Sequence, residues 1–401
     1  MAPSVSVLAR TAAGALDPYA NDETTRVTVE IAGVEYPLIR QYSIDSDVLN
    51  LGDPCAVELP NPNGRLNGKI SLGDPLKFYM ADPSVAGGQK ILVLSGIVTG
   101  RRAYSNRSGT FVSVAGADLG WHLVNNDAPL WFRLRGVRWS QLLQKCIDPS
   151  WNFAGYRLEN DTNTRIKLGR QGVVQQITGS IDNFIPPIQI EPGEKVADLL
   201  ILYAKRERKL VNVSSDGYLQ LWAPNYGAQA LFHFDYHRSD EPSCKRNNVE
   251  SATLVQSIDG LYTRVQCVGT VVRAPDLVNQ TNPNEGQFIG SYIQSPPVDL
   301  PFLRRMTFSD GDQLTKDKAT ARALWRFQRS KFDAFIYQIE VKGHAQGGAF
   351  YTENTLASVD DTVNGVSGLY YVSAVKKWRE RGKGKGTRSV LTLRLNNLLA
   401  A

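Results

Sequence analysis

The chain has 401 residues, 42% of them hydrophobic and 21% charged, which suits two to four globular domains and excludes a disordered or fibrous protein. Its 34 Gly, 20 Pro, 16 Tyr and 14 Phe favour β-rich, loop-rich structure. A net charge of +6 over this length is a mild bias, read first as a solvated surface and otherwise as contact with nucleic acid or an acidic partner. Cys55, Cys146, Cys244 and Cys267 are scattered, with no CxxC pair and no neighbouring His at ligand spacing, so neither zinc nor a disulfide framework is expected. No stretch has the features of a signal peptide or approaches the ~20 apolar residues of a membrane span, so the chain reads as soluble and made in the cytoplasm.

Residues 1–24 lack periodicity and read as a flexible N-terminal arm. Val27, Val29 and Ile31 then alternate with polar residues up to Ala32-Gly33, and Val34-Glu35-Tyr36 returns as a short hairpin. Cys55–Leu59 is a strand that runs into Pro60-Asn61-Pro62-Asn63-Gly64, turn chemistry at nearly every position. Strands at Pro75–Met80 and Ile91–Thr99 follow, and a hairpin closes near Asp118. So many short strands in residues 25–124 point to a small barrel or sandwich, since closure removes unpaired edges.

Beyond Trp121 the pattern changes. Trp139, Leu142, Leu143, Cys146 and Ile147 share one helical face, and Asp148-Pro149 ends it. Residues from Trp151 to Pro187 are irregular and polar. A second helix opens at Pro192-Gly193-Glu194 and buries Val196, Leu199, Leu200, Tyr203 and Ala204. A hairpin around Asp216-Gly217 follows, so residues 125–247 read as an α+β domain. Strands return from Val249, interrupted by a long Pro/Asn/Gln-rich loop over 273–300. One helix is expected over 313–331, which leaves the middle domain open to being discontinuous. Phe335–Val341 and a terminal hairpin complete a second β-barrel module over 248–401. The fold class expected is therefore mixed, β-rich α+β, with two similar small β-barrel modules flanking an α+β domain.

Candidate chemistry is sparse. His233 and His237 are four apart, but on a strand that spacing puts them ~13 Å apart, and no third ligand accompanies them. His122 and His344 stand alone and read as surface or packing residues. The pairs Asp45/Asp47 and Asp360-Asp361 lie in turn-like contexts, where Asp caps backbone donors. Lys383-Gly384-Lys385-Gly386-Thr387 joins two strands and opens no helix, so it lacks the geometry of a phosphate loop. No catalytic, cofactor or metal site is assigned.

The most informative pattern is repeated. Ile97-Val98-Thr99-Gly100-Arg101-Arg102 enters a polar loop and returns as Phe111–Gly116. Tyr371-Val372-Ser373-Ala374-Val375-Lys376-Lys377 enters Trp378–Arg388 and returns as Val390–Leu395. The second tip carries Lys376, Lys377, Trp378, Arg379, Arg381, Lys383, Lys385 and Arg388, a basic cluster around one aromatic ring, and is the candidate partner-contact loop.

Three segments in order carry a family resemblance. They are Ser95-Gly96-Ile97-Val98-Thr99 with Val114-Ala115-Gly116-Ala117-Asp118; Pro192 to Leu200 with the Asp216-Gly217 turn; and Leu356-Ala357-Ser358-Val359-Asp360 leading to Gly368–Val375. From about residue 25 to 398 the chain resembles baseplate hub proteins of contractile-tailed phages, the Mu-like hub and late-control D group, whose fold also forms the base of type VI secretion spike proteins. The resemblance implies a homotrimer whose six barrels make a pseudo-hexameric ring. That ring would join a sixfold tail tube to a trimeric central spike, contact baseplate wedge or other tail proteins, and leave a channel through which DNA passes. It implies a structural protein of the virion tail, without a cofactor and without catalysis. The alternatives are a tail-associated carbohydrate- or receptor-binding β-protein, for which Trp131, Trp139, Trp151 and Trp222 are the aromatic candidates, and a peptidoglycan-cleaving tail enzyme.

Overall fold

The computed structural model describes residues 21–22, 25–106, 109–128, 138–158, 190, 192–206, 209–224, 226–270, 287–293, 300–310, 316–379 and 386–396. Its first part is all β: β1 (Asn21–Asp22), β2 (Arg26–Ile31), β3 (Val34–Tyr36), β4 (Gln41–Asp47), β5 (Pro54–Pro60), β6 (Pro75–Ala81), β7 (Ile91–Asn106) and β8 (Gly109–Asp118). The middle alternates: α1 (Gly120–Asn125), α2 (Trp139–Cys146), β9 (Gly155–Leu158), α3 (Val196–Arg206), β10 (Leu210–Val213) and β11 (Tyr218–Trp222). The last part has β12 (Phe232–Tyr236), β13 (Ser251–Gln256), β14 (Arg264–Thr270), β15 (Gln287–Ile293), β16 (Arg305–Ser309), α4 (Lys316–Ala334) and β17 (Phe335–Lys342). It ends with β18 (Ala345–Gln346), β19 (Ala349–Phe350), β20 (Thr355–Asp361), β21 (Val366–Arg379) and β22 (Thr387–Leu395).

Strands from both ends of the chain share one 13-stranded sheet, in the order β13-β17-β22-β21-β4-β5-β8-β7-β6-β2-β3, with β20 also pairing β21 and β12 pairing β20. The β-rich α+β class is therefore as read from the sequence. The two separate closed barrels are not what these ladders record: the described strands form one open path, continuous across the two halves. The join is at β21. Its first half pairs β20 (Thr355↔Val372 to Asp361↔Val366), its second half pairs β4 (Ala374↔Asp47 to Arg379↔Tyr42), and β22 runs beside both.

Each side of this join has its own core. One is built from Val29, Phe78, Met80, Val112 and Val114 among others, and the second from Phe232, Phe234, Tyr337, Val372 and Leu391. These residues alternate along their strands with exposed or half-exposed ones, as in β17, because successive side chains point to opposite faces. Fully burying one such side chain contributes roughly 1.5–3 kcal/mol.

A three-stranded sheet, β10-β11-β9, packs with α1, α2 and α3 around a third core. The apolar face of α2 is the one its spacing predicts: Trp139, Leu142, Leu143 and Cys146 are all buried. A second small sheet, β15-β14-β16, carries α4. Gly290 in β15 lets that helix approach, since a Cβ there would lie 2.0 Å from the Thr320 backbone nitrogen. Val48, Trp222, Phe332, Leu356 and Tyr371 form a small core where the β-halves, the middle sheet and α4 meet.

Several expectations change. The segment 273–300 is not one loop: Gln287–Ile293 is a strand paired antiparallel with β14, and residues 273–286 and 294–299 lie outside the described residues. The arm's end, Asn21–Asp22, pairs with Gln346 and Ala345, while residues 1–20 lie outside the described residues. The irregular stretch after Trp151 contains β9, and 159–187 lies outside them. All four cysteines are free, and Cys55, Cys146 and Cys267 are buried. Among the described residues no helix is long and apolar enough to cross a membrane.

Candidate partner interface at the seam of the two hairpins

The two hairpins read from the sequence are β7–β8 and β21–β22, and both carry the same irregularity. In the first, the register shifts between Val98 and Gly100, leaving Thr99 as the extra residue. In the second it shifts between Val372 and Ala374, leaving Ser373 as the extra residue. The bulged tripeptides, Val98-Thr99-Gly100 and Val372-Ser373-Ala374, occupy equivalent places in the two repeats. A bulge bends its strand and increases local twist. Both hairpins therefore turn at the same point, and β4 and β5 lie between them in the sheet.

The strands run further towards the turns than the hydrophobic pattern suggested. β7 extends to Asn106 and pairs through Asn106↔Gly109, and β21 pairs through Arg379↔Thr387. Trp378, Arg379 and Arg388 are thus strand residues, not loop residues. Arg381, Lys383 and Lys385 lie outside the described residues.

Period-two alternation splits the basic cluster between two faces. Lys376 and Trp378 point outward, opposite Asp45 and Ser43 of β4. The Lys376 ammonium lies 3.4 Å from the Asp45 carboxylate. They border an open groove of about 360 Å³ that crosses β21, β4, β5 and β8 and includes Ser43, Glu58, Ser113 and Arg379. Glu58 sits at its first-hairpin end, accepting from Arg40 at 2.6 Å, Gln41 at 2.9 Å and the Tyr104 hydroxyl at 2.5 Å. Arg40 also stacks over Phe111 at 4.2 Å, so this end is held rigidly. Arg388 is engaged within the chain, 2.8 Å from Glu340, whose hydrogen bond raises the guanidinium pKa further.

Lys377 departs most from expectation, because its side chain is buried at the seam. It lines a polar cavity of about 740 Å³ together with Asp53, Asp118, Arg157, Asp216 and Glu353. Burial pushes the Lys377 pKa down, and Glu353 opposes that shift. Burial, then the neighbouring Asp118 charge, raises Asp53 to about 9. Burial also raises Asp118 to about 7, against donation from the backbone amides of Gly120, Gly52, Asp53 and Trp121.

Beside Lys377 lies a polar pin that sequence reasoning missed. His344, read as a surface or packing residue, is fully buried. Its Nε2 is 2.7 Å from the Tyr42 hydroxyl of β4 and its Nδ1 is 2.8 Å from Ser389 Oγ of β22. The Ser389 hydroxyl donates to the Gly343 carbonyl. Ser389 therefore accepts from His344 Nδ1–H, and Nε2 accepts from Tyr42, which fixes the neutral tautomer. Burial first, and Lys377 next, depress the His344 pKa to about 3. No sequence signal announces this pin, since its members come from three distant segments.

The other candidates separate similarly. Asp45 faces Lys376, while Asp47 accepts from the Leu49 amide at 2.9 Å. His233 lies in β12 and His237 one residue beyond it; His237 instead approaches Asp360, and Asp361 is bound under the Tyr337 hydroxyl. Trp139 and Trp222 are core residues, Trp151 stacks on His122, and Trp131 lies outside the described residues.

No protein-family model matches the sequence, and no curated protein matches it. Solved structures do. A tail protein from Neisseria meningitidis MC58 superposes with a TM-score of 0.72 at 19% identity, covering 94% of this chain and 98% of that one. The 43 kDa tail protein of prophage MuSo2 from Shewanella oneidensis gives 0.69 at 17% identity, covering 92% and 98%. The E. coli c3393 protein, a type VI secretion component described as similar to T4 tail proteins gp27 and gp5, gives 0.52 at 9% identity, covering 93% and 80%. The resemblance read from the sequence therefore holds at the level of the whole fold, and this chain has the fold of phage tail proteins.

Proposed function

We propose that the chain is a structural subunit of a contractile phage tail, a baseplate hub that converts threefold into quasi-sixfold symmetry. The observation that carries this is the repeated, equally bulged hairpin on either side of β4 and β5. One polypeptide with two such units lets three copies present six similar edges. The fold shared with tail proteins along nearly the whole chain supports the same reading. In this account each half closes its barrel-like unit within the trimer, and the ring meets the tail tube on one side and a trimeric spike on the other. DNA would cross the bore in transit only, and the particle would place the protein in the virion baseplate.

The role is mechanical and non-enzymatic. The outward groove at Lys376 and Trp378 offers ionic, hydrogen-bonding and stacking groups, which suits recognition of another tail protein. A glycan-binding reading is weakened because Trp139 and Trp222 are sealed in cores. Light scattering on the purified chain is expected to give the mass of a trimer, with no clearing of peptidoglycan. A monomer with lytic activity would sink the proposal.

A further inference from the structure

Two carboxylates oppose each other in the sheet of the second half. β12 runs parallel to β20 with Asp235 directly opposite Asp360. Like charges at opposed positions repel. Asp235 is buried at this position, 7% exposed, so its carboxyl faces Asp360 with little access to solvent. The arrangement calls for a positive partner.

His237, one residue beyond β12, supplies the third group. It is 4% exposed, yet neither of its ring nitrogens makes a hydrogen bond, and the Asp235 Oδ2 atom makes none either. Burying an imidazole edge without hydrogen-bond partners is destabilising, because the desolvation of each nitrogen is left uncompensated. Its Nε2 lies 3.9 Å from Asp360 Oδ2, and its Nδ1 lies 3.5 Å from Glu241 Oε2. One ligand atom each from Asp235, His237 and Asp360 falls within 4.8 Å of the others.

We propose that Asp235, His237 and Asp360 bind a divalent first-row transition-metal ion of the Zn²⁺ or Mn²⁺ class, with Glu241 as the residue that positions the imidazole. Metal-bound histidines usually direct the second ring nitrogen at a carboxylate, which fixes tautomer and orientation. Glu241 stands there, and its Oε2 is itself held by the Thr362 hydroxyl at 2.8 Å. Bonds of about 2.0–2.2 Å would bring tetrahedral ligand atoms to about 3.4 Å apart, so from a span of up to 4.8 Å the cluster must contract by up to about 1.4 Å. The Asp360 side chain is 57% exposed and can rotate to supply that movement. The imidazole selects against Mg²⁺ and Ca²⁺, which prefer all-oxygen shells. Bound there, the ion would clamp β12 to β20, its one pairing strand among the described residues.

The test is calorimetry on the full chain, freed of metal by chelation and carrying no histidine tag, titrated with Zn²⁺, Mn²⁺ and Mg²⁺. The expected result is one equivalent of Zn²⁺ or Mn²⁺ per chain with a raised melting temperature, and no heat from Mg²⁺. Asp360→Asn, at an exposed position that leaves the fold intact, should weaken binding by roughly tenfold or more, and Glu241→Gln by roughly 10- to 100-fold. No saturable binding by the folded wild-type chain, or an affinity that Asp360→Asn leaves unchanged, would overturn the proposal.

Discussion

His344 shows how one buried polar side chain can tie two halves of a sheet together. It accepts from Tyr42 of the first half and donates to Ser389 of the second, and its depressed pKa of about 3 keeps it neutral. Replacing it by Phe fills a similar volume but strands the Tyr42 hydroxyl and the Ser389 oxygen. Each orphaned group costs about 1–3 kcal/mol, so His344→Phe should lower the unfolding free energy by about 2–6 kcal/mol in denaturant titrations. A loss below ~1 kcal/mol would show that the pin contributes little. Since its folded pKa lies below the ordinary 6.5, the pin stabilises fully above that value. Its contribution is lost as pH falls from about 6.5 towards 3.

Asp53 has the opposite sign. Its folded pKa of about 9 is far above 3.8, so the fold favours the protonated acid. That stabilisation is full below the unfolded value and disappears as pH rises through 9. Asp53→Asn, which mimics the neutral acid, should raise the melting temperature by a few degrees at pH 9 and change it little at pH 5. Parallel pH profiles for variant and wild type would contradict this assignment.

Among the elements, those whose side chains obey one simple period were legible. α2 buries the stripe its sequence spells out, and β22 and the Val112–Gly116 part of β8 alternate as expected. The basic residues at 376–388 were harder to place, because an outward strand position accepts Lys or Arg as readily as a loop does. Pairing register, not composition, puts Lys376 outside and Lys377 inside. β15 was hidden by its polar surroundings, and what stabilises it is tertiary: β14 alongside and α4 across Gly290. The Asp235, His237 and Asp360 group was illegible for a similar reason, since parallel pairing joins segments far apart in sequence. The outward contact proposed for the second hairpin has its own prediction. Replacing residues 380–386 by a two-residue Asn-Gly turn, which suits antiparallel strands, should preserve folding but abolish incorporation into tails. Normal tails assembled from that variant would remove the tip from the interface.

At the scale of the whole molecule, a single continuous sheet unites the two hairpin units, so they cannot tumble independently. The shared sheet, the His344 pin and the core around Phe332 and Tyr371 fix the angle between the repeats. Under the proposed hub function a fixed angle would be required, because three chains would have to place six units evenly. The halves need not be identical, and the tips differ in length and charge. Under the same proposal the differing tips would belong to threefold surfaces, and the sixfold ones would be built from the parts that look alike. The most direct test is electron microscopy of the purified chain, viewed down the symmetry axis. The account predicts a threefold ring with six similar lobes around an open centre. A monomer, or an oligomer without a central hole, would contradict it.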